Sequence, residues 1–374
     1  MVYKIMNVFV RIAALFLLSA AALMTVRESS AQSLLTNPVG YLQASCTASS
    51  DTVVAVPFQQ PAAYIGTTAS VSGSTVTISG TTVWAANQFV YSGSGTSTYY
   101  VLMGAAASGT NPKQGCYYTV ASNGSNTLTV ALNGDNISSV PDGSAVSVIP
   151  YCTLGTVFPP ANAGTSFIAS TTMLTPQGTV LYVPAYSGTG INLSAPSSYF
   201  FYQGVWCSTT GSAGVSYSDA ILIPDGYVTV RNPGATTVLT TMGNVPMGDL
   251  TIPLVTNTTQ EQDNFVAIAR PVDTSLDNLA LSPSAAFTPT TNPLFTQDEL
   301  LVFSPTQTGI NNAPGSGGVY FYYMGTSGTG WRLSGDAITT DHGNDVVPAG
   351  TGFVIRKAPT VNAGTALWQN SPTY

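Results

Sequence analysis

One histidine serves the whole 374-residue chain. It is His342, in the polar run Asp341-His342-Gly343-Asn344-Asp345, with Asp336 just upstream. An imidazole between carboxylates can act as a general base or ligate a metal. A run of Asp and Asn can instead offer oxygen ligands to calcium, which takes six to eight of them. Asp341, Asn344 and Asp345 are therefore the candidate calcium ligands. The run lacks the spacing and the closing Glu of an EF-hand, so the favoured reading is a solvated loop with no cofactor, calcium being the alternative.

Paired carboxylates are the signature of glycoside hydrolysis. The close pairs here are Asp298-Glu299 and Glu261/Asp263. Neighbouring residues on a strand point to opposite faces, so Asp298 and Glu299 cannot converge on one bond. Glu261 and Asp263 can share a face, but they sit in the polar run TNTTQEQDN. Asp135, Asp142 and Asp225 occupy ordinary turn contexts. There is no Gly-x-Ser-x-Gly, His-Glu-x-x-His, P-loop or dinucleotide-binding glycine pattern. With one histidine, a Ser-His or Cys-His scheme would have to rest on His342 alone. The chain reads as no enzyme, with a secreted glycoside hydrolase or lyase as a distant alternative.

Exposed tyrosine and tryptophan rings can stack on sugars. The candidates are Tyr199, Tyr202, Trp206, Tyr320, Tyr322 and Trp331, with Tyr323 beside them. They recur at matching places in two stretches of the chain, which favours shared core over a shared glycan platform. Arg231 and Arg356 recur likewise, and read as strand-end arginines paired with a carboxylate or carbonyl.

The elements that position these residues are short strands. STVTI (74–78), YYVLM (99–103), TLTVA (127–131) and AVSVI (145–149) alternate with period two between Gly, Asn, Pro and Ser, the pattern of sandwiches and small barrels. The predicted fold is all-β: a small N-terminal barrel over residues 32–158, then two related sandwich-like modules over 159–260 and 261–374. Pro159-Pro160 marks the first boundary. Asn123-Gly124 and Asn133-Gly134 read as hairpin turns, since both residue types accept positive φ. No convincing amphipathic helix follows the N-terminal leader; Leu276–Leu281 suits one short turn.

A tandem duplication supports the two modules. Thr189-Gly190-Ile191-Asn192 matches Thr308-Gly309-Ile310-Asn311, YFFYQG (199–204) matches YFYYMG (320–325), and Trp206 aligns with Trp331. Each copy closes on a Pro-x-Gly turn, a strand and an arginine: IPDGYVTVR to Arg231 and VPAGTGFVIR to Arg356. A fainter echo links DTVVAVP (51–57) with DNFVAIARP (263–271), and it stands evenly between a third trace of the unit and chance.

Composition sets the compartment and the partners. Lys4 and Arg11, the apolar stretch Ile12–Met24 and Ser29-Ser30-Ala31 read as a secretory signal, residues 1–31, cut after Ala31. Ile12–Met24 is too short for a membrane-spanning helix, so no transmembrane segment is expected after cleavage. The mature chain is expected to be secreted or at the cell surface, with the periplasm as an alternative. The full chain carries a formal charge of −7 and only 7% charged residues, against roughly 25% in ordinary domains. So few bases exclude a nucleic-acid partner. A 44% hydrophobic and 10% aromatic content excludes disorder. Partners are then further copies of itself or other surface proteins, with glycans as an alternative. Four cysteines, Cys46, Cys116, Cys152 and Cys207, permit two disulfides in an exported chain. Cys116 with Cys152 is the favoured pair, against four buried free thiols.

The run TYYVLMGAAASGTNPKQGCYYTVASNGSNTLTV, the TLGTVFPP after it, DELLVF, the GIN, YYY and Trp core and the terminal WQNSPTY together resemble a family of secreted β-rich proteins found mainly in Verrucomicrobia and their relatives. The resemblance spans most of the mature chain. It implies export and architecture only, because the family carries no assigned activity. It also implies aromatic residues near Cys116 and Cys152, so a disulfide would here replace aromatic packing.

Overall fold

The computed structural model describes residues 38–371, apart from 94–95, 160–166, 174–176, 213 and 283. The expected leader and its cleavage site lie outside the described residues. The chain from Pro38 onward forms one compact unit. Among the described residues no helix is long and apolar enough to cross a membrane.

The fold is all-β, as predicted. Two strands come first, β1 (Val39–Cys46) and β2 (Ser50–Ala55). The barrel strands follow: β3 (Tyr64–Ser72), β4 (Thr75–Ile78), β5 (Tyr99–Met103), β6 (Tyr117–Asn123), β7 (Thr127–Val130) and β8 (Ala145–Pro150). Then come β9 (Cys152–Thr153), the single-turn helix α1 (Leu154–Val157), β10 (Val180–Val183), β11 (Ser197–Tyr202), β12 (Val205–Ser208), β13 (Ile221–Leu222), β14 (Tyr227–Asn232) and β15 (Thr237–Asn244). The last stretch holds β16 (Leu250–Thr256), β17 (Gln262–Ala267), β18 (Thr274–Ser275), β19 (Glu299–Val302), β20 (Gly318–Gly325), β21 (Gly328–Leu333), β22 (Val346–Val347), β23 (Gly352–Lys357) and β24 (Gly364–Asn370).

Six strands close the barrel in the order β3-β4-β7-β6-β5-β8. Their inward residues, among them Val76, Ile78, Val101, Met103, Leu128 and Val148, form its buried core. Turn chemistry differs between the two predicted Asn-Gly sites. Asn133 and Gly134 adopt positive φ (50° and 92°). Asn123 and Gly124 do not, because the Asn123 side chain is used instead: it accepts from Phe89 N and donates to Ala85 O, both under 3 Å.

The two modules repeat one topology. Module one has the sheet β12-β11-β10-β14-β2, and module two has β21-β20-β19-β23-β17. A two-stranded ribbon packs over each sheet, β1-β15 in one case and β16-β24 in the other. The pairings β9-β13 and β18-β22 also correspond. Register confirms the sequence alignment, since Phe201 faces Trp206 as Tyr322 faces Trp331.

Strand pairing crosses the division of the chain read from sequence. β1 and β2 pair with β15 and β14, so residues 39–55 belong to module one. The barrel is thus an insertion between β2 and β9. β16, within residues 159–260, pairs with β24 and opens module two. The physical reason is that a sandwich closes with strands distant in sequence, while turn spacing reports only local neighbours.

Candidate functional site

The repeated polar residues meet where the two modules face each other. Asp51 on β2 stands opposite Arg231 on β14. Arg231 Nε and Nη2 donate to its two oxygens, each at 2.8 Å. Asp263 on β17 likewise stands opposite Arg356 on β23, with bonds of 2.8 and 3.1 Å. A planar guanidinium fits a carboxylate in this two-bond fork.

Each pair is completed by the Gly-Ile-Asn loop of the other module. Asp51 N donates to Gly309 O at 2.8 Å, and Gly309 N donates to Ser50 Oγ at 2.8 Å. Asn311 N donates to Asp51 Oδ2 at 2.7 Å, and its side-chain oxygen accepts from Arg231 Nη2 at 2.7 Å. In the mirror set, Asp263 N donates to Gly190 O and Gly190 N to Gln262 Oε1, both at 2.9 Å. Asn192 N donates to Asp263 Oδ2 at 2.8 Å, and Arg356 Nη2 reaches Asn192 Oδ1 at 3.5 Å. The loops share an unusual backbone: φ is 103° and 104° at Gly190 and Gly309, and 55° and 58° at Asn192 and Asn311. Positive φ is why glycine and asparagine recur there.

The turns before β14 and β23 exchange in the same way. Ala55 N donates to Gly350 O, and Ala267 N donates to Asp225 O. Between the two interlocks Val53, Ala55 and Tyr227 pack against Phe265, Ala267 and Phe303. Reciprocal contacts of this kind are what a twofold axis produces. Gly352 departs from the symmetry for a steric reason: a Cβ there would lie 2.5 Å from Val53 and 2.8 Å from the Tyr227 ring.

The predicted arginine partners are therefore carboxylates, Asp51 and Asp263. Both open the faint echo DTVVAVP and DNFVAIARP, and β2 and β17 are equivalent strands. The missed signal was that each module needed one Asp for each repeated Arg.

His342 is held between Asp345, 2.8 Å from Nδ1, and Asp336, 3.0 Å from Nε2. Burial pulls its pKa down, but the hydrogen bonds to Asp345 and Asp336 outweigh that and leave it above the ordinary value. Asp341 takes Gly343 N at 3.1 Å and Arg332 at 3.4 Å, and Asp345 also accepts from Tyr320 at 3.3 Å. The candidate calcium carboxylates Asp341 and Asp345 thus bind cationic and hydroxyl donors of the chain itself; no bond of the Asn344 side chain enters this network. Among the described residues no group of three or more metal-capable side chains comes together.

Four of the six aromatic candidates lie in the core. Trp206 and Trp331 are fully buried, and Tyr320 and Tyr322 are buried beside Trp331. Tyr199 and Tyr202 are partly buried against the module-one sheet. The buried four offer little ring surface to a sugar. Of the carboxylate pairs, Asp263 is consumed by Arg356, and Asp298 is sealed with Lys357, both side chains almost wholly buried.

All four cysteines are free and buried, so the Cys116–Cys152 disulfide is absent. Cys116 packs inside the barrel and Cys152 inside module one, two separate cores. Cys152 Sγ donates to Phe58 O instead, at 3.5 Å.

One buried carboxylate stands where barrel and modules meet. Tyr117 of β6 donates to Asp225 Oδ1 at 2.7 Å, while the Asp225 carbonyl serves Ala267 of module two. Burial pushes the Asp225 pKa up, only partly offset by the Tyr117 hydrogen bond.

Comparison with known protein families, curated proteins and solved structures returns no match.

Proposed function

We propose that the mature chain is an exported structural or adhesive protein of the cell surface or extracellular space, without catalytic activity. One observation carries this reading. The polar residues repeated in both modules are spent on holding the modules together: Asp51, Arg231 and Asn311 in one interlock, Asp263, Arg356 and Asn192 in the other. Export rests on the leader read from the sequence. A surface with few charges supports packing against other copies or other surface proteins, because few charges need desolvation.

Electron microscopy of the native extracellular fraction, beside a glycan-array screen of the purified mature protein, tests the proposal. Ordered assemblies or surface attachment without glycan turnover are expected. Discrete monomers, or release of sugars from any glycan, would overturn it.

A further inference from the structure

The two ribbons β1-β15 and β16-β24 are equivalent, yet among the described residues one has a protected edge and the other is bare. In an antiparallel pair, alternate residues turn both N–H and C=O toward the partner or toward the free edge. Val245 N donates to Pro38 O, which sets the even residues of β1 toward β15. Thr47 N donates instead to Thr52 Oγ1 at 3.4 Å, on the other side. Tyr41, Gln43 and Ser45 therefore present their main-chain groups at the free edge of β1.

β16 is aligned through the same cap. Val255 N donates to Asn264 Oδ1 at 2.7 Å, and Asn264 follows Asp263 as Thr52 follows Asp51. Gln43 and Ser45 then correspond to Thr251 and Pro253. Thr251 N is taken by Gly115 O of the barrel at 2.9 Å. Pro253 has no N–H to satisfy. No edge N–H of β16 from 251 to 255 is thus left open, each being taken by the barrel or a side chain or absent in proline. Among the described residues no hydrogen bond beyond the β15 ladder engages the main chain of Tyr41, Gln43 or Ser45. A groove of about 240 Å³ runs along Leu42–Ser45, lined also by Phe303–Pro305 and Pro348–Gly352.

Long, uncharged, apolar edge strands are the ones that recruit another strand, and natural proteins normally blunt them. The sequences VGYLQASC and TVLTTMGN carry no charge. On their outer face Val39, Tyr41 and Met242 are 74%, 71% and 66% exposed, with Tyr41 directly opposite Met242. The outer edge of β15 is also open between Val238 and Met242, but its counterpart β24 is no better closed, so only β1 departs from the symmetry.

We infer that β1 is an assembly edge, and that its occupant is the β1 strand of a second copy of this chain. The two strands run antiparallel about a twofold axis and join two ribbons into one four-stranded sheet. An uncharged edge of alternating donors and acceptors is complementary to itself, and the exposed Val39 and Tyr41 lie on the face that the second strand would extend. This specifies a partner for the assembly proposed above and rests on that reading. A monomer in dilute solution with ordered native assemblies would sink the β1 pairing alone, leaving assembly by other surfaces.

The test is sedimentation equilibrium of the purified mature protein with the variant Gln43→Pro, which removes one free-edge N–H without touching the β15 ladder. A concentration-dependent dimer in the wild type, weakened at least tenfold by the proline, is expected. A wild-type monomer throughout, a dimer indifferent to the proline, or a monomer that instead takes up an unrelated strand would each overturn it. Hydrogen exchange on the wild type gives a second reading should the proline variant not fold. Protection of the Tyr41, Gln43 and Ser45 amides must rise with protein concentration, and unchanged exchange would overturn the inference.

Discussion

Asn311 donates its main-chain N–H to the Asp51 carboxylate at 2.7 Å, across 260 residues of chain. The mirror bond joins Asn192 to Asp263 at 2.8 Å. Each module therefore supplies a loop that completes the charged pair of the other. The loops bind like a ligand held permanently in place, and the charged residues gain their last hydrogen bonds only when both modules are folded.

This makes the interlock a unit of stability. Asp51→Asn removes one charge from a carboxylate that is nearly buried, leaving Arg231 without its counter-ion. The expected loss is about 2–3 kcal/mol in denaturant unfolding. Asp263→Asn should cost as much or more, since the Asp263 side chain is wholly buried. A double-mutant cycle between Asp51→Asn and Asn311→Ala should show coupling of about 1 kcal/mol. Additive losses would mean that the loop does not sense the charged pair.

The loop backbone can be tested apart from the charges. A Cβ at Gly309 meets nothing within 4 Å, so Gly309→Ala adds only the strain of φ 104°. About 1–3 kcal/mol is expected from conformation alone. A variant as stable as the wild type would show that the loop relaxes to negative φ and that the geometry of the interlock is not fixed by it.

The fold class, the closed barrel and the duplication were legible in the sequence because they rest on local signals: period-two alternation, turn residues and an ordered set of matches. The arginines were legible as half of a pair. Their partners were not, since Asp51 and Asp263 sit in the faintest part of the repeat and meet Arg231 and Arg356 only once distant strands align. The same limit explains residues 39–55. Their alternation is equally good in a barrel or a sandwich, and pairing with β14 and β15 depends on contacts that no local pattern encodes. Cys116 and Cys152 looked alike as strand residues, but the first points into the barrel and the second into module one.

The histidine clamp should give stability a defined pH dependence. The folded pKa of His342 is raised, so the stabilisation is full below its unfolded value, about 6.5. It is lost as pH climbs through the higher folded value. Asp336 has the opposite sign: its pKa is lowered by hydrogen bonds from Ala337 N and then His342, so its share is lost on acidification. The melting temperature should fall between neutral and mildly alkaline pH, and His342→Gln should flatten that fall. An unchanged slope in the variant would assign it to another group.

Free, buried thiols predict chemical silence. Burial raises the pKa of all four cysteines, Cys46 to about 11. The folded protein should resist thiol reagents at neutral pH and release four equivalents on unfolding. A reductant should leave the melting temperature unchanged. A titre of two, or a drop on reduction, would restore a disulfide such as Cys116–Cys152.

Asp225 yields the prediction of opposite sign to an ordinary paired carboxylate. It lies buried where barrel and modules meet, and Tyr117 donates to it from the barrel. Module two places Gly350 at the corresponding acceptor position, so this carboxylate belongs to the barrel-facing side alone. Its folded pKa is raised by burial. The stability it contributes is therefore complete below the unfolded value of about 3.9 and declines as pH rises through the folded one. Ionising Asp225 costs stability, a cost that the Tyr117 hydrogen bond offsets in part. Asp225→Asn keeps an acceptor for Tyr117 and removes the charge, so it should raise the melting temperature at pH 7 by about 2–4 °C. The gain should vanish in acid. Tyr117→Phe should destabilise at pH 7 by about 1–3 kcal/mol, because it strips the donor from a buried carboxylate. Calorimetry of both variants across pH 4–8 separates the outcomes. If Asp225→Asn lowers the melting temperature throughout, the carboxylate is a needed anion and not a desolvated burden.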